Sequence, residues 1–426
     1  MLFLNIWYFH HYATPTSIAG LHRPYEFGKC FMSAGNRVTV FTSSYLHFVG
    51  INQITNKKEF VIKQFDGIPS VIVKTCGYHN SGFNRIRNMF QFYFHLFRVA
   101  KLYVKRNGKP DIIIASSPHP LTMIAGIQLS RKYCIPNISE IRDFWPEVFF
   151  TAGRLKENSI IGKILLYGER WIYKNSESLL FLKEGDHEYL KEHKWDIASG
   201  GDIDNSKCYY VNNGVDIDQF DKRKENNILV DEDLDSDLFK VVYCGTIRHV
   251  NHLDLLVDAG KLLSNNIVIL IYGTGDCIEG LIARTKNEKI SNVKFKGYVD
   301  NKYIPYILSK SSINVLNYSA SAYNWSRGNS SNKLFEYFAS GRPILSTIKM
   351  GYDLIEKYSC GISIDKCNSI YVARAIQQFV NLSSQEYAQY CKNARKAAEE
   401  FDIPILAKKY LEIIEKVKND YTEERV

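Results

Sequence analysis

Short apolar runs alternate with longer amphipathic stretches through the first half of the chain. The runs Leu2–Trp7, Val38–Thr42, Phe60–Phe65, Val71–Thr75, Asp111–Ser116, Asn137–Ile141, Ser178–Leu182 and Cys208–Val211 predict strands. Several are continuous in Val, Ile and Leu, as expected of strands covered on both faces. Helical patterns such as Arg23–Gly35 and Leu121–Tyr133 lie between them, which predicts a parallel sheet with crossover helices. Residues 216–238 break this rhythm. They are polar and end in Asp231-Glu232-Asp233-Leu234-Asp235-Ser236-Asp237, the pattern of a solvated connector. The alternation restarts at Phe239–Cys244, Ile267–Tyr272, Val293–Phe295, Ile313–Leu316, Pro343–Ser346 and Gly361–Ile364. From Gln385 the chain reads as charged helix. The expectation is an α/β protein of two doubly wound, Rossmann-like units, 1–215 and 239–384, joined by 216–238. Helices over 385–426 are expected to pack back toward the first unit. Ligands of such folds sit at the carboxyl ends of the strands, so the cleft between the units is the expected site.

The composition changes this picture little. Hydrophobic residues make up 45% and charged residues 23%, enough for two cores without metal or disulfide staples. The nine Cys are scattered and form no C-x-x-C pair, which argues against a zinc site and against a secreted disulfide framework. Met1-Leu2-Phe3-Leu4 lacks a basic region and a cleavage site, so it reads as a strand start and not a signal peptide. No apolar stretch reaches the roughly 18 residues that span a bilayer. These features predict a cytoplasmic protein. The net charge of +9 points to an anionic partner: nucleic acid, a phosphorylated ligand or anionic lipid.

Candidate chemistry is concentrated in a few segments. In Ser330-Ser331-Asn332-Lys333-Leu334-Phe335-Glu336, Ser331 is placed to cap a helix whose N-terminal N–H groups would face an anion. Asn332 opens it, Lys333 adds a charge, and Glu336 can accept hydrogen bonds from sugar hydroxyls. The alternative is a capped surface helix with solvated side chains. Gly273-Thr274-Gly275 follows a strand, but Ile278 occupies the place of a third glycine, so the dinucleotide fingerprint fails. Arg142-Asp143 ends a strand, as a pair orienting substrates or as a structural salt bridge. His119 lies between two prolines that fix its loop. The helix Phe83–Arg106 carries two apolar stripes. Ile86, Phe90, Tyr93, Phe97, Ala100 and Val104 are expected to cover the sheet. Phe92, Leu96, Val99 and Tyr103, bordered by Arg87, Arg98, Lys101 and Lys105, are expected to lie on anionic lipid. No recognised nucleic-acid motif is present, so no nucleic-acid partner is expected.

These segments carry a resemblance. Ser330–Pro343 resembles the donor-binding signature of family 4 retaining GT-B glycosyltransferases, most closely the bacterial O-antigen and capsule branch that includes L-fucosamine transferases. Supporting pieces follow in order: Ser17–Gly20 with Arg23–Phe27, Ala115–Pro120, Ile141–Glu147, Asn212–Asp216, Tyr243–Arg248, Tyr272–Gly275 and Lys296–Tyr298. The resemblance implies a GT-B fold with an acceptor-binding first domain and a donor-binding second. A sugar would pass from a nucleotide-diphosphate donor, UDP-linked, to a glycan or a polyprenyl-diphosphate-linked acceptor of surface polysaccharide synthesis, at the inner face of the cytoplasmic membrane. Retention and independence of metal or other cofactor follow. Glu336 matches the glutamate that holds the ribose, while Gly328 stands where the family places a second one. Arg248 matches the diphosphate-binding arginine, and Lys333 can supply the charge lost where Asn251 replaces a lysine. Gly297 and Tyr298 match the base-reading loop, and Gly20 the loop that closes on the diphosphate. Gly245 and Gly273 belong to the same donor-binding set. Arg142 stands where many relatives carry His; with Asp143 and His119 it completes the catalytic candidates. A nucleotide-sugar 2-epimerase of the same fold, and a non-catalytic two-lobed sugar-binding protein, are the alternatives.

Overall fold

The computed structural model describes residues 3–78, 81–321 and 323–423. Among the described residues, sixteen strands form two main sheets and a small hairpin. They are β1 (Asn5–His10), β2 (Arg37–Ser43), the hairpin β3 (Tyr45–Leu46) and β4 (Ile51–Asn52), β5 (Phe60–Phe65), β6 (Ile68–Val73), β7 (Ile112–Ser116), β8 (Asn137–Ile141), β9 (Ser178–Phe181) and β10 (Cys208–Tyr210). In the second half come β11 (Phe239–Cys244), β12 (Ile267–Tyr272), β13 (Val293–Gly297), β14 (Ile313–Leu316), β15 (Ile344–Ser346) and β16 (Gly361–Ser363). The first sheet runs β10-β9-β8-β7-β1-β2-β6-β5, parallel except for the edge pair β5 and β6. The second runs β13-β12-β11-β14-β15-β16 and is parallel throughout. In each, the order reverses at one place, β1/β7 and β11/β14. A crevice opens there at the carboxyl ends of the strands. The fold is the expected GT-B class of two Rossmann-like sheets.

The two compact units are residues 1–212 with 406–426, and 213–405. The first strand begins at Asn5, three residues later than its apolar run; Met1 and Leu2 lie outside the described residues. The chain leaves the first unit after Asn212, earlier than position 215. Residues 216–238 are no free connector. They form the helix Ile217–Asn226, whose Asp221 pairs with Arg395. Their acidic run is also held: Asp231 bonds Lys296 at 2.6 Å and the Tyr272 hydroxyl at 2.8 Å, and Asp233 bonds Lys296 at 2.7 Å. Burial would raise the Asp231 carboxyl, but these two donors hold it below its ordinary value. The C-terminal helix Ile403–Glu423 contributes Leu406 onward to the first unit, where Tyr410 packs edge-on against Phe27 and Phe31.

The long helix Gly82–Asn107 is rotated relative to expectation. Phe92, Leu96, Val99 and Tyr103, expected on lipid, are buried in the core with Trp7, Phe41 and Ile113. The other stripe faces outward over its N-terminal half: Ile86 and Phe90 are exposed, while Ala100 is buried. Both stripes are apolar, so spacing alone does not fix which one meets the sheet. Tyr103 also gains a hydroxyl partner, Thr39 of β2, which favours the observed setting.

Candidate functional site

In the second unit, three adjacent strands end in glycine-rich loops tied by main-chain bonds. The Gly245 N–H donates to Tyr272 O at 2.9 Å, and the Gly273 N–H to Gly297 O at 2.7 Å. A Cβ on Gly273 would stand 1.9 Å from Gly245 O, and one on Gly275 2.2 Å from Ile247 O. Only glycine permits this approach of backbones. The loops therefore form a smooth main-chain floor at the carboxyl edge of β11, β12 and β13.

Lys333 closes that floor. It lies in the helix Asn332–Ala339, with Nζ 2.7 Å from the Tyr243 hydroxyl and 4.5 Å from its ring centroid. A Cβ on Gly245 would come within 2.4 Å of Nζ, so this glycine is the space the ammonium occupies. Burial pushes the Lys333 ammonium down to about 8, partly opposed by Cys244 and Glu336. Glu336 is thus in electrostatic reach of the same centre, one helical turn on. Arg248, the residue after the buried Ile247, is exposed. Tyr298 is 74% exposed beyond Gly297, open to a stacking ligand.

Ser331 does not cap the helix with its side chain. Its hydroxyl instead accepts from Tyr318 at 2.8 Å, and its N–H donates to Asn329 Oδ1 at 2.9 Å. Asn213 Nδ2 holds Ser330 O at 2.7 Å. Asn332 is exposed at the helix start. Sequence reasoning missed Tyr318 and Asn329, and gave no role to Tyr243 and Asn213, which lie within the quoted motifs Tyr243–Arg248 and Asn212–Asp216; together these four set the segment. Gly328, where a second glutamate was sought, has φ of +100°, a conformation that suits glycine.

In the first unit, His119 follows β7 and Arg142 follows β8, at the carboxyl ends of neighbouring strands near the β1/β7 reversal. His119 is buried at the start of the helix Pro120–Tyr133, its ring 4.6 Å from that of His11. His10, which ends β1, and His11, which follows it, were passed over in the sequence reading and are fully buried. Neither ring nitrogen of His10 and neither Nδ1 of His11 or His119 has a hydrogen-bond partner among the described residues. Burial pushes His10 down to about 3, with Arg142 the next cause, and burial likewise pushes His11 to about 3. His119 is held well below the ordinary imidazole value by burial and by His11. These rings are neutral near pH 7, able to donate and accept hydrogen bonds but not to store a proton.

Arg142 and Asp143 form no ion pair within 4 Å, against the expected cation–carboxylate pair. Asp143 is exposed, and the Arg142 N–H donates to Ser117 Oγ at 2.9 Å. The charge of Arg142 acts on the buried Glu140, two residues earlier. Both residues lie in the bend that follows β8, where Arg142 is half-buried and Asp143 is exposed. Gly20 sits in another loop of this unit, where a Cβ would be 2.1 Å from Thr14 Oγ1. Among the described residues, no group of three or more His, Cys, Asp or Glu is placed to hold a metal ion.

Comparison with known proteins agrees with both halves. Residues 24–219 match Glycosyltransferase Family 4, and residues 224–397 match Glycosyl transferases group 1. No curated protein is similar enough in sequence to match the chain. Among solved structures, sucrose-phosphate synthase from Thermosynechococcus elongatus is 16% identical, with 97% of this chain and 99% of that one covered and a TM-score of 0.70. Anabaena HepE, solved with UDP and glucose, is 12% identical over 97% and 99%, with a TM-score of 0.63. WaaG, a glycosyltransferase involved in lipopolysaccharide biosynthesis, is 14% identical over 96% and 99%, with a TM-score of 0.60. The chain is therefore built of a glycosyltransferase family 4 domain followed by a glycosyl transferases group 1 domain, in a GT-B fold.

Proposed function

We propose that this protein transfers a sugar from a UDP-linked donor to a glycan or polyprenyl-diphosphate-linked acceptor of bacterial surface polysaccharide, with retention at the anomeric carbon. The observation that carries this reading is the Gly245–Gly273–Gly297 floor closed by Lys333. It offers a backbone approach and a cation where a diphosphate would lie. The UDP complex of HepE supports the choice of donor, and the lipopolysaccharide role of WaaG supports the acceptor class.

Charge builds on the diphosphate as the glycosidic bond to it breaks. Lys333 and Arg248 are placed to stabilise that charge, and the start of the helix Asn332–Ala339 adds its dipole. Glu336 binds the ribose hydroxyls in this reading. In the first unit, the neutral His119, with Arg142 and Asp143, binds and orients the acceptor and the sugar.

The test is a transfer assay with UDP-sugars and reducing-end or lipid-linked glycans. Nucleoside diphosphate release should require acceptor, and NMR of the product should show the donor's anomeric configuration. Release without acceptor, with an epimerised sugar as product, would overturn it. Because Lys333 and Arg248 carry the diphosphate, activity should survive excess EDTA; loss that magnesium or manganese restores would contradict the charge assignment. Glu336→Ala should raise the donor KM by roughly tenfold or more, since a charge-assisted hydrogen bond contributes ~1.5–3 kcal/mol. Unchanged donor kinetics would sink that role.

A further inference from the structure

Two helices of the first unit expose apolar side chains that the reaction does not use. On the helix Gly82–Asn107, Phe83 is 77% exposed, Ile86 55%, Phe90 46% and Phe94 62%. Their spacing of three to four puts them on one face. On the helix Ile160–Asn175, Ile160 is 80% exposed, Ile161 61%, Ile164 62% and Tyr167 74%. Both helices flank Pro120–Tyr133, and all three cover the same face of the first sheet. Each outer helix leads into a parallel strand, β7 or β9, so it runs antiparallel to the sheet. Both exposed stripes therefore occupy helix halves at the same edge, the carboxyl end of the strands.

Isolated exposed apolar residues are ordinary, but grouped stripes of this size mark an interaction surface. The surrounding charge indicates the partner. From Gly67 to Pro110 the chain has no acidic residue and eight basic ones. Arg87 and Lys101 are exposed on the first helix. Beside the second stripe, Arg154, Lys156 and Lys163 are exposed, with one acid, Glu157. Aliphatic and aromatic side chains bordered by cations, on the two helices either side of Pro120–Tyr133, match an anionic bilayer surface. A protein partner would be expected to meet mixed charge at the rim.

We propose that these two stripes form one face that docks on an anionic lipid surface, with the carboxyl edge of the first sheet at the headgroups. No helix among the described residues is long and apolar enough to cross a membrane, so the contact is peripheral. The face replaces the Phe92–Tyr103 flank, which is core.

The test is flotation with vesicles of equal parts phosphatidylglycerol and phosphatidylcholine, against phosphatidylcholine alone. The parent protein should bind the anionic vesicles and be partly released by high salt. The variant Phe90→Ser/Phe94→Ser/Ile160→Ser/Ile164→Ser should bind at least about tenfold more weakly. These side chains are exposed, so its melting temperature and its stabilisation by UDP should match the parent. Equal binding of the variant and the parent, or no binding of the parent to anionic vesicles, would overturn the proposal. A parent that dimerises in solution and a variant that does not, with vesicles ignored by both, would assign the face to a second copy and also overturn it. UDP stabilisation is read separately, so failure here is distinct from failure of the proposed reaction.

Discussion

Replacing Lys333 with Met is expected to lower kcat by about 100-fold or more, the usual cost of removing one group that stabilises developing negative charge. Met keeps the length and apolar stem of the side chain, so the helix Asn332–Ala339 and the Gly245 loop should hold their shape. Only the ammonium is removed, and with it the contact 2.7 Å from the Tyr243 hydroxyl. Tyr243→Phe should cost far less, since it removes a support and leaves the charge. The pH dependence supplies an independent readout. Burial holds the Lys333 ammonium near 8, so the free site is charged below that pH and neutral above it. A bound diphosphate favours the charged form. The donor KM of the parent should therefore rise as pH climbs from 7 to 9, and that rise should vanish in Lys333→Met. A variant with parental kcat and the parental pH profile would remove Lys333 from the site.

The second large effect concerns stability. Arg23→Met should destabilise the first unit by roughly 3–5 kcal/mol, the cost of breaking a buried ion pair by deleting one partner. Arg23 Nε lies 2.8 Å from Glu140 Oε2, and both side chains are almost wholly buried. Nη1 and Nη2 donate to the carbonyls of Asn212 and Val211 at 2.8 and 2.9 Å. Glu140 also accepts from Tyr8 and from Ser116 Oγ. Arg23→Met leaves that carboxylate buried beside Arg142 alone, and leaves two carbonyls short of a donor. The double variant Arg23→Met/Glu140→Leu should recover a large part of the loss, because no carboxylate is left buried without Arg23. The pH test has a definite sign. Burial would raise the Glu140 carboxyl, but Arg23 and Arg142 hold it well below its ordinary value. Its contribution to stability is present above the unfolded carboxylate value of about 4.3 and is lost as pH falls through the folded one. Denaturation midpoints should show acid sensitivity in the parent that is weaker in the double variant. A single variant as stable as the parent would contradict the account of this pair.

Much of this fold is legible in the sequence because strands buried on both faces leave unbroken apolar runs. Phe60–Phe65, Asn137–Ile141, Phe239–Cys244, Ile267–Tyr272 and Ile313–Leu316 coincide with their strands. The facing of the helix Gly82–Asn107 is not legible, since both stripes are apolar and only the tertiary fit of Phe92 and Leu96 selects one. The acidic run gives no local sign that Lys294 and Lys296, some sixty residues on, will hold it. At the site, single motifs such as Gly273-Thr274-Gly275 and Lys333 stand out. Their convergence does not, because it depends on β11, β12 and β13 lying side by side. Arg23 with Glu140, and His11 with His119, are far apart in sequence and meet only once the first sheet forms. Arg142-Asp143 misled for the opposite reason: neighbours in sequence in the bend after β8 differ in burial and form no pair.

The central claim is that a nucleoside diphosphate sits on the Gly245–Gly273–Gly297 floor beside Lys333 and Arg248. Titration calorimetry with UDP, on the parent and on Lys333→Met/Arg248→Ala, tests it most directly. The account predicts a one-to-one complex with the parent, without added metal, and binding weakened by at least about tenfold in the double variant, as two charge-assisted contacts are lost. Equal UDP affinity in the two proteins, or no binding of UDP by the folded parent, would contradict it.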